Sequence, residues 1–595
     1  MYKKEIISAE IIGIILSAML LASIPIVGAQ FFGDANKDDA ISALDFNRVV
    51  IPVDEDFSGA NAISFGGWYG LVLGPIYEPL VKYNSRTDTY EPWLAESFEI
   101  SDDAKVYTFH MVKNATWHDG VPVTCEDVKF TIEYMKSKRP TWRTSLVDHV
   151  ECPDKYTAIF YLNRCNPLFI EHGPNPWGGK IFPKHVWQNI DDPDRFKDTE
   201  FIGCGPFKFK KRIAGEYFVL EANENYHGDK PHVKEVVFKV IPHKDLQVLA
   251  LKSGEVDIVY DISFAIADDL EGKKNIGVYL IPETSFQILG FNCELYPTNI
   301  TEFRRALAHA VNKEKICNIA FGGRGTVVDT FLLPSIARDF VNYDTPKYEY
   351  NITKAKRILK SAGFEDRDGD GWLEGPDGED VIITTPVSEL NRIVEILKAD
   401  WVEELGIKVK LISVESQLWF EEIHKKNIHT SGCPAYGRFE PNNLIWMRTY
   451  GHFNTPNRCG WSNSEFDALA EELIDTADRE KRKEIGNRMQ EILATEVPTV
   501  PICAPHTLVA YRSDRFIEWD SDPLYRPYDK KILLNVKTVR DNVSVDTGKK
   551  VEEKAIRERE SEGEGGEQKI PVNLCDLLIA IILAISISIG ARKRY

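Results

Sequence analysis

Two periodicities alternate along most of this chain. Short runs in which apolar residues alternate or persist, Val106–His110, Ala158–Tyr161, Val236–Ile241 and Ile407–Val414, are rich in the β-branched and aromatic side chains that suit a pleated sheet. Between them, apolar residues recur every three or four positions over Cys125–Ser137, Lys244–Ser253, Phe303–Asn312, Thr353–Ala362, Leu390–Leu405 and Ser464–Thr495, which predicts helices with one buried face. Strand and helix interleaved in this way predict an α/β architecture with mostly buried, partly parallel sheets. The chain has 595 residues, more than one hydrophobic core usually serves, so at least two lobes are expected. No internal repeat is visible.

The pattern breaks down at both ends. Lys3 and Lys4 precede an apolar run from Ile11 to Val27 and then Gly28-Ala29-Gln30, the order of a signal peptide, assigned to residues 1–29; an uncleaved anchor is the alternative. Residues 30–45 read as a polar linker. Within it Asp34, Asn36, Asp38 and Asp45 are spaced like one half of a dockerin repeat, but a dockerin needs two such loops. Near the other end, residues 541–570 are rich in Glu, Lys, Arg and Gly and too poor in large apolar side chains to offset their conformational entropy, so they read as a charged tether. Residues 571–591, apolar from Leu577 to Ala591, are expected to cross the membrane, with the basic tail 592–595 in the cytoplasm and everything before Asn573 outside. A sorting signal removed by a transpeptidase is the other reading of this segment.

Charge and cysteine usage narrow the function. A net charge of -19 excludes nucleic acid as the expected partner, since phosphate binding needs a cationic surface. The ten cysteines form no Cys-x-x-Cys pair, which argues against a zinc cluster. Outside the membrane they can form disulfides, with Cys152–Cys165 and Cys433–Cys459 the first pairs to test, or remain buried thiols. Asn114, Asn299, Asn351 and Asn542 head glycosylation sequons. No nucleophile elbow, Walker loop or His-Glu-x-x-His is present, and Gly322-Gly323-Arg324-Gly325 lacks the Lys-Ser/Thr of a phosphate loop. A glycosidase-like carboxylate pair stays open in so acidic a chain.

One loop has the composition of a hard-cation site. Asp366, Asp368 and Asp370 stand at alternate positions, Gly371 provides the sharp turn, the Trp372 carbonyl follows, and Asp377 takes the twelfth place where an EF-hand has Glu. Calcium here would be structural. The same turn without an ion is the competing expectation.

A series of short motifs adds a resemblance. Trp117-His118-Asp119-Gly120 runs on to Glu126-Asp127-Val128; then come Gly203-Cys204-Gly205-Pro206-Phe207, Asn225-Tyr226-His227-Gly228 with Lys230-Pro231, Leu251-Lys252-Ser253-Gly254-Glu255-Val256-Asp257, and Arg304-Arg305-Ala306-Leu307 leading to Gly322 and Gly325. In this order, between about Phe46 and about Arg540, they resemble the family 5 extracytoplasmic solute-binding proteins of peptide and nickel ABC importers. The resemblance implies a two-lobed periplasmic-binding-protein-like fold with an inserted subdomain in lobe one and a double hinge crossing. Lobe one would be 46–291 with an insert at about 77–190, lobe two 292–499, and 500–540 the return to lobe one. Family members in bacteria with one membrane usually carry a lipidated cysteine at the cleavage site. This sequence has none there, and a C-terminal anchor in its place points to an archaeal cell surface. His118, although beside Asp119, would be part of a turn rather than a catalyst.

The resemblance also implies where ligand sits. In peptide-binding relatives an aspartate of lobe two pairs with the peptide ammonium; the matching stretch here is Tyr436-Gly437-Arg438-Phe439-Glu440-Pro441, with Gly437 where that aspartate should be. An ammonium left without counter-charge in a closed cleft costs several kcal/mol, so Arg438 would favour a carboxylate or other anion unless Glu440 takes over. Trp68, Tyr69, Trp419, Trp446 and Trp461 are the aromatic candidates for enclosing peptide side chains or sugar faces. His429 and His452 are not at a metal-ligand spacing, which disfavours nickel. The expected protein is a monomeric, non-enzymatic capture device on the cell surface, without a required cofactor, that delivers oligopeptides to an ABC permease and its ATPase subunits. An oligosaccharide-binding component and a surface sensor or adhesin on the same fold are the alternatives.

Overall fold

A computed structural model describes residues 47–56, 61, 63, 72–84, 89–140, 142–167, 169–172, 180–281, 283, 285–387, 392–413, 428–436, 444–445, 447–449, 457, 459–517, 519, 533–534 and 536–538. The expected signal peptide, linker with its dockerin-like loop, tether and membrane segment lie outside these residues. Among the described residues no helix is long and apolar enough to cross a membrane.

Three layers of sheet build the first lobe and its insert. Strand Arg48–Val53 lies parallel to Glu235–Val240, which continues antiparallel to Tyr217–Ala222 and Phe207–Ile213. Strand Thr507–Arg512 runs between Ile258–Tyr260 and Ile276–Ile281, antiparallel to both. The insert is a separate antiparallel sheet in the order Ala95–Ile100, Val106–Met111, Thr157–Leu162, Val147–Asp154. Helix Cys125–Lys138 closes it, with Val128 and Ile132 buried in a cluster with Tyr107, Phe109, Trp117 and Phe160. The helix starts where Asp127 folds back to accept the Thr124 backbone N–H at 2.9 Å.

The second lobe has its own core. Strands Gly325–Val327, Thr499–Pro505, Ser285–Phe291 and Thr430–Tyr436 form one antiparallel sheet, and Ile382–Val387 pairs in parallel with Lys408–Ser413. Phe291, Phe303, Leu307, Leu359, Ile383 and Trp401 pack with Val500 and Ile502 in a cluster that shares no residue with the core of the insert. Two of the described strand pairs are parallel, Arg48–Val53 with Glu235–Val240 and Ile382–Val387 with Lys408–Ser413, so the sheets are more antiparallel than the interleaved pattern suggests.

Sheet membership locates the passages between lobes. The strands flanking the expected boundaries at 291/292 and 499/500, Ser285–Phe291 and Thr499–Pro505, belong together to the second-lobe sheet. Their chain neighbours Ile276–Ile281 and Thr507–Arg512 pair in a first-lobe sheet. The change of sheet therefore comes at Glu283 and at His506, whose Oε2 and Nε2 lie 3.5 Å apart.

Two expectations fail. The single helix expected over Ser464–Thr495 is two, Ser464–Asp475 and Arg479–Glu496. Thr476 leaves the helix in an extended conformation and Asp478 restarts it by accepting the Lys481 N–H at 2.7 Å. The turn is held by buried Arg482, which donates to the carbonyls of Leu473 at 3.0 Å and Thr476 at 3.3 Å. Cys152 bonds to Cys125 rather than to Cys165, and Cys317 bonds to Cys503. The hairpin of the insert lays Cys152 beside the start of the helix, a proximity that linear spacing does not reveal. Cys165 is a free thiol. Cys433 lies outside the described side chains, so the expected Cys433–Cys459 pair does too.

Candidate functional site

Three of the recognised motifs converge on one buried junction between the insert and the first lobe. Glu78 is fully buried and accepts hydrogen bonds from Tyr226 Oη at 2.6 Å, His227 Nε2 at 2.7 Å and Trp93 Nε1 at 2.7 Å. Three donors on one carboxylate offset the cost of burying it. The same environment pushes the Tyr226 hydroxyl well above its usual pKa, through burial first and the neighbouring carboxylate second.

Gly203 and Gly205 belong to this junction because nothing larger fits. A Cβ on Gly203 would run into the Ile76 carbonyl oxygen, and one on Gly205 into that of Pro75. The close approach lets the Gly205 N–H reach the Ile76 carbonyl at 2.8 Å and the Phe207 N–H reach that of Pro75 at 3.2 Å.

His118 is held by backbone on both sides. Its Nδ1 accepts the Gly203 N–H at 3.2 Å and its Nε2 donates to the Gly205 carbonyl at 3.1 Å, which fixes one neutral tautomer. Burial pulls its pKa down to about 4. Asp119 turns away, to His185 Nε2 at 2.7 Å. Both ring nitrogens are engaged by backbone groups, and His118 stands in a turn, as expected. Arg304 has a parallel role in the second lobe: it is buried, and its guanidinium gathers the carbonyls of Thr298, Glu496 and Val497 at the end of helix Arg479–Glu496.

The acidic loop brings three of its five expected ligands together. Carboxylate oxygens of Asp366, Asp368 and Asp370 lie within 4.8 Å of one another, all exposed. Each also accepts backbone N–H groups of its own loop: Asp366 from Gly369 at 2.7 Å and Gly371 at 3.0 Å, Asp368 from Asp370 at 3.0 Å, Asp370 from Trp372 at 2.8 Å. Asp377 is outside that group, accepting the Glu379 N–H at 3.2 Å. The donor set fits the first half of a calcium loop and not its closing half.

The residues expected to touch ligand are mostly beyond description. Trp68, Tyr69, Trp419, Gly437, Arg438, Phe439, Glu440 and Trp446 lie outside the described residues, and of Tyr436 only the backbone is described, at the end of strand Thr430–Tyr436 opposite Ser285. Trp461 is placed in a core: it is 3% exposed, packs edge-on to Phe466 at 5.0 Å, and donates its indole N–H to Glu496 Oε2 at 2.6 Å. His429 likewise spends both nitrogens internally, with Thr384 Oγ1 at 2.7 Å and the Tyr296 carbonyl at 3.0 Å.

Polar contacts between the lobes escaped the sequence reading. Arg324 of the second lobe pairs with Asp268 of helix Phe264–Leu270 in the first and lies over the Phe264 ring. Arg164 of the insert grips Asp475 and Glu471 on the second lobe. These pairs are separated by 56 to 311 positions and have no local signal.

Two lobes with separate cores and two adjacent passages between them define a hinged, two-lobed fold. The chain belongs to the bacterial extracellular solute-binding proteins, family 5, whose profile matches residues 89–449. It is 26% identical over 468 residues to the oligopeptide-binding protein AppA of Bacillus subtilis, covering 74% of this chain and 82% of that one. It is 24% identical over 468 residues to the dipeptide-binding protein of Escherichia coli, covering 73% and 85%. Among solved structures, NikA from Brucella suis in complex with Fe(III)-EDTA superposes with a TM-score of 0.71 at 21% identity, covering 81% of this chain and 99% of that one. That likeness supports the fold.

Proposed function

We propose that this chain is the extracytoplasmic substrate-binding component of an ABC importer: it closes its lobes on an oligopeptide and presents it to a membrane permease whose ATPase subunits drive transport. The peptide class is supported by the relatives of this family that bind oligopeptides and dipeptides. The observation that carries the mechanism is the pair of passages at Glu283 and His506, which joins two independently packed lobes through adjacent chain crossings. Affinity then comes from the difference in ligand contacts between open and closed states, and no bond in the ligand changes. The apolar segment Leu577–Ala591 would hold the protein at the membrane, and the turn Asp366–Asp370 would take calcium as a structural ion if it takes any.

The test is native mass spectrometry of the protein purified gently from its own cells, followed by release and sequencing of what it carries. A peptide mixture is the expected result. An oligosaccharide or a small anion in its place would overturn the peptide assignment and make Gly437-Arg438 the origin of a changed specificity. Turnover of the released ligand on incubation would overturn the binding-only mechanism.

A further inference from the structure

Arg164 lies just past strand Thr157–Leu162, at the edge of the insert, yet its guanidinium is spent on the other lobe. Nε donates to Asp475 Oδ1 at 2.7 Å and Nη2 to Asp475 Oδ2 at 2.6 Å, the two-pronged geometry that makes arginine–carboxylate pairs directional. Nη1 and Nη2 also reach Glu471 Oε2 at 3.3 Å. Both carboxylates stand on helix Ser464–Asp475, four residues apart and so on one face.

The same face has a third acid, and it leads to the ligand loop. Glu471 Oε1 accepts Arg448 Nη1 at 2.7 Å, and Asp467 Oδ1 accepts the Thr449 N–H at 2.8 Å. Arg448 and Thr449 follow within a few residues of Glu440 and Trp446, the segment expected to meet ligand. Asp467, Glu471 and Asp475 therefore connect the chain that emerges from the binding loop to the tip of the insert.

The composition of this contact is that of a surface that parts. The core of the insert contains Tyr107, Phe109, Phe160 and Phe169; the core beneath the helix contains Phe340, Trp461, Phe466 and Leu473, and the two clusters share no residue. Between them Arg164, Glu471 and Asp475 keep 39%, 54% and 51% of their side-chain surface exposed. A permanent interface of this kind would bury apolar area; an exposed ion network can break and re-form in water at small cost.

We infer that Arg164 is a positioning residue for lobe closure, a latch that holds the insert against helix Ser464–Asp475 and so sets the balance of open and closed forms. This rests on the reading that the two lobes close on ligand, and it is independent of which ligand that is. Exposed pairs of this quality shift an equilibrium by about 2- to 5-fold, enough to tune ligand release without replacing ligand as the main closing force.

The experiment measures interlobe distance in the full, ligand-free chain, with ketone-directed spin labels at Asp102 and Glu480, both exposed and one on each lobe. Arg164→Ala should raise the ratio of open to closed molecules by about 2- to 5-fold, and Arg164→Glu by more, since it places like charges together. The exchange Arg164→Glu with Asp475→Arg should restore most of the closed form at an unchanged melting temperature. Wild-type protein in about 0.5 M NaCl should resemble Arg164→Ala. Equal distance distributions for wild type and Arg164→Glu at low salt would overturn the latch. So would an opening that the charge exchange fails to rescue and that comes with an equal loss of thermal stability, because it would mark an ordinary structural contact. Since no ligand is added, a failed peptide assignment leaves this result standing, and a failed latch leaves the peptide assignment standing.

Discussion

His118 shows how a reactive-looking side chain can be wholly structural. Its ring is neutral because burial outweighs the Gly205 carbonyl that would favour the charged form, and the pKa is pulled down to about 4 from an unfolded value near 6.5. The unfolded chain therefore binds a proton in the window from about pH 6.5 to about pH 4 that the folded chain does not. The stability this residue contributes is complete above about pH 6.5 and is lost as pH falls toward about 4, with a slope of up to about 1.4 kcal/mol per pH unit. Urea unfolding across that window should show a shallower loss for His118→Gln than for the wild type; identical slopes would mean that His118 is not the proton acceptor. Two glycines, Gly203 beside His118 and Gly369 in the acidic loop, allow a second comparison. Gly203→Ala should cost about 3 kcal/mol or more, because the methyl meets a backbone oxygen that cannot move aside. Gly369→Ala meets nothing within 4 Å, but Gly369 has φ +78°, so backbone strain alone should cost about 1 kcal/mol. Chemical denaturation of the two variants that gave equal losses would contradict this ranking.

At the scale of elements, chain entropy ranks the two disulfides. Cys125–Cys152 closes a separation of 27 residues and Cys317–Cys503 one of 186. The loop-closure model assigns about 3.5 kcal/mol to the first and about 5 kcal/mol to the second. Cys317→Ser should therefore lower the melting temperature more than Cys125→Ser in calorimetry, and the reverse order would show that residual structure in the unfolded chain outweighs loop length. Neither bond was legible in the sequence, for a plain reason: pairing depends on which strand of a hairpin faces a helix start, and Cys152 meets Cys125 only once the insert is folded. What the residues did reveal was local. The 3.6-residue and two-residue periods placed helix Lys244–Ser253 and strand Val106–Met111 to within a residue, because burial repeats with the backbone. The same periodicity ran straight through Thr476–Asp478, since an apolar stripe can continue on the far side of a turn that only Asp478 as a cap and Arg482 as a clamp define. Three of the motifs that carried the family resemblance proved to pack a junction near Glu78, and most of the residues expected to choose the ligand lie outside the described ones.

For the whole molecule, the separation of cores makes a thermodynamic statement. Neither disulfide crosses between lobes: Cys125–Cys152 stays within the insert and Cys317–Cys503 ties helix Lys313–Ala320 to strand Thr499–Pro505 inside the second lobe. The links described across the divide are polar, as at Arg164 and Arg324, or are the two chain passages at Glu283 and His506. Such contacts are too weak to make two cores of this size unfold as one cooperative unit. Calorimetry of the ligand-free protein should therefore resolve two transitions. Ligand held between the lobes binds only when both are folded, so unfolding of the less stable lobe releases it and the binding free energy is added to that lower transition. At a free ligand concentration about 100 times Kd this is about 2.7 kcal/mol, so the lower transition should climb toward the upper one, which stays at its ligand-free temperature until the two merge. The ligand fraction recovered from the native protein is the reagent for this titration. A single transition without ligand would mean that the interlobe contacts are as cooperative as a core. A shift of the upper transition alone would place the ligand on the more stable lobe, outside the cleft.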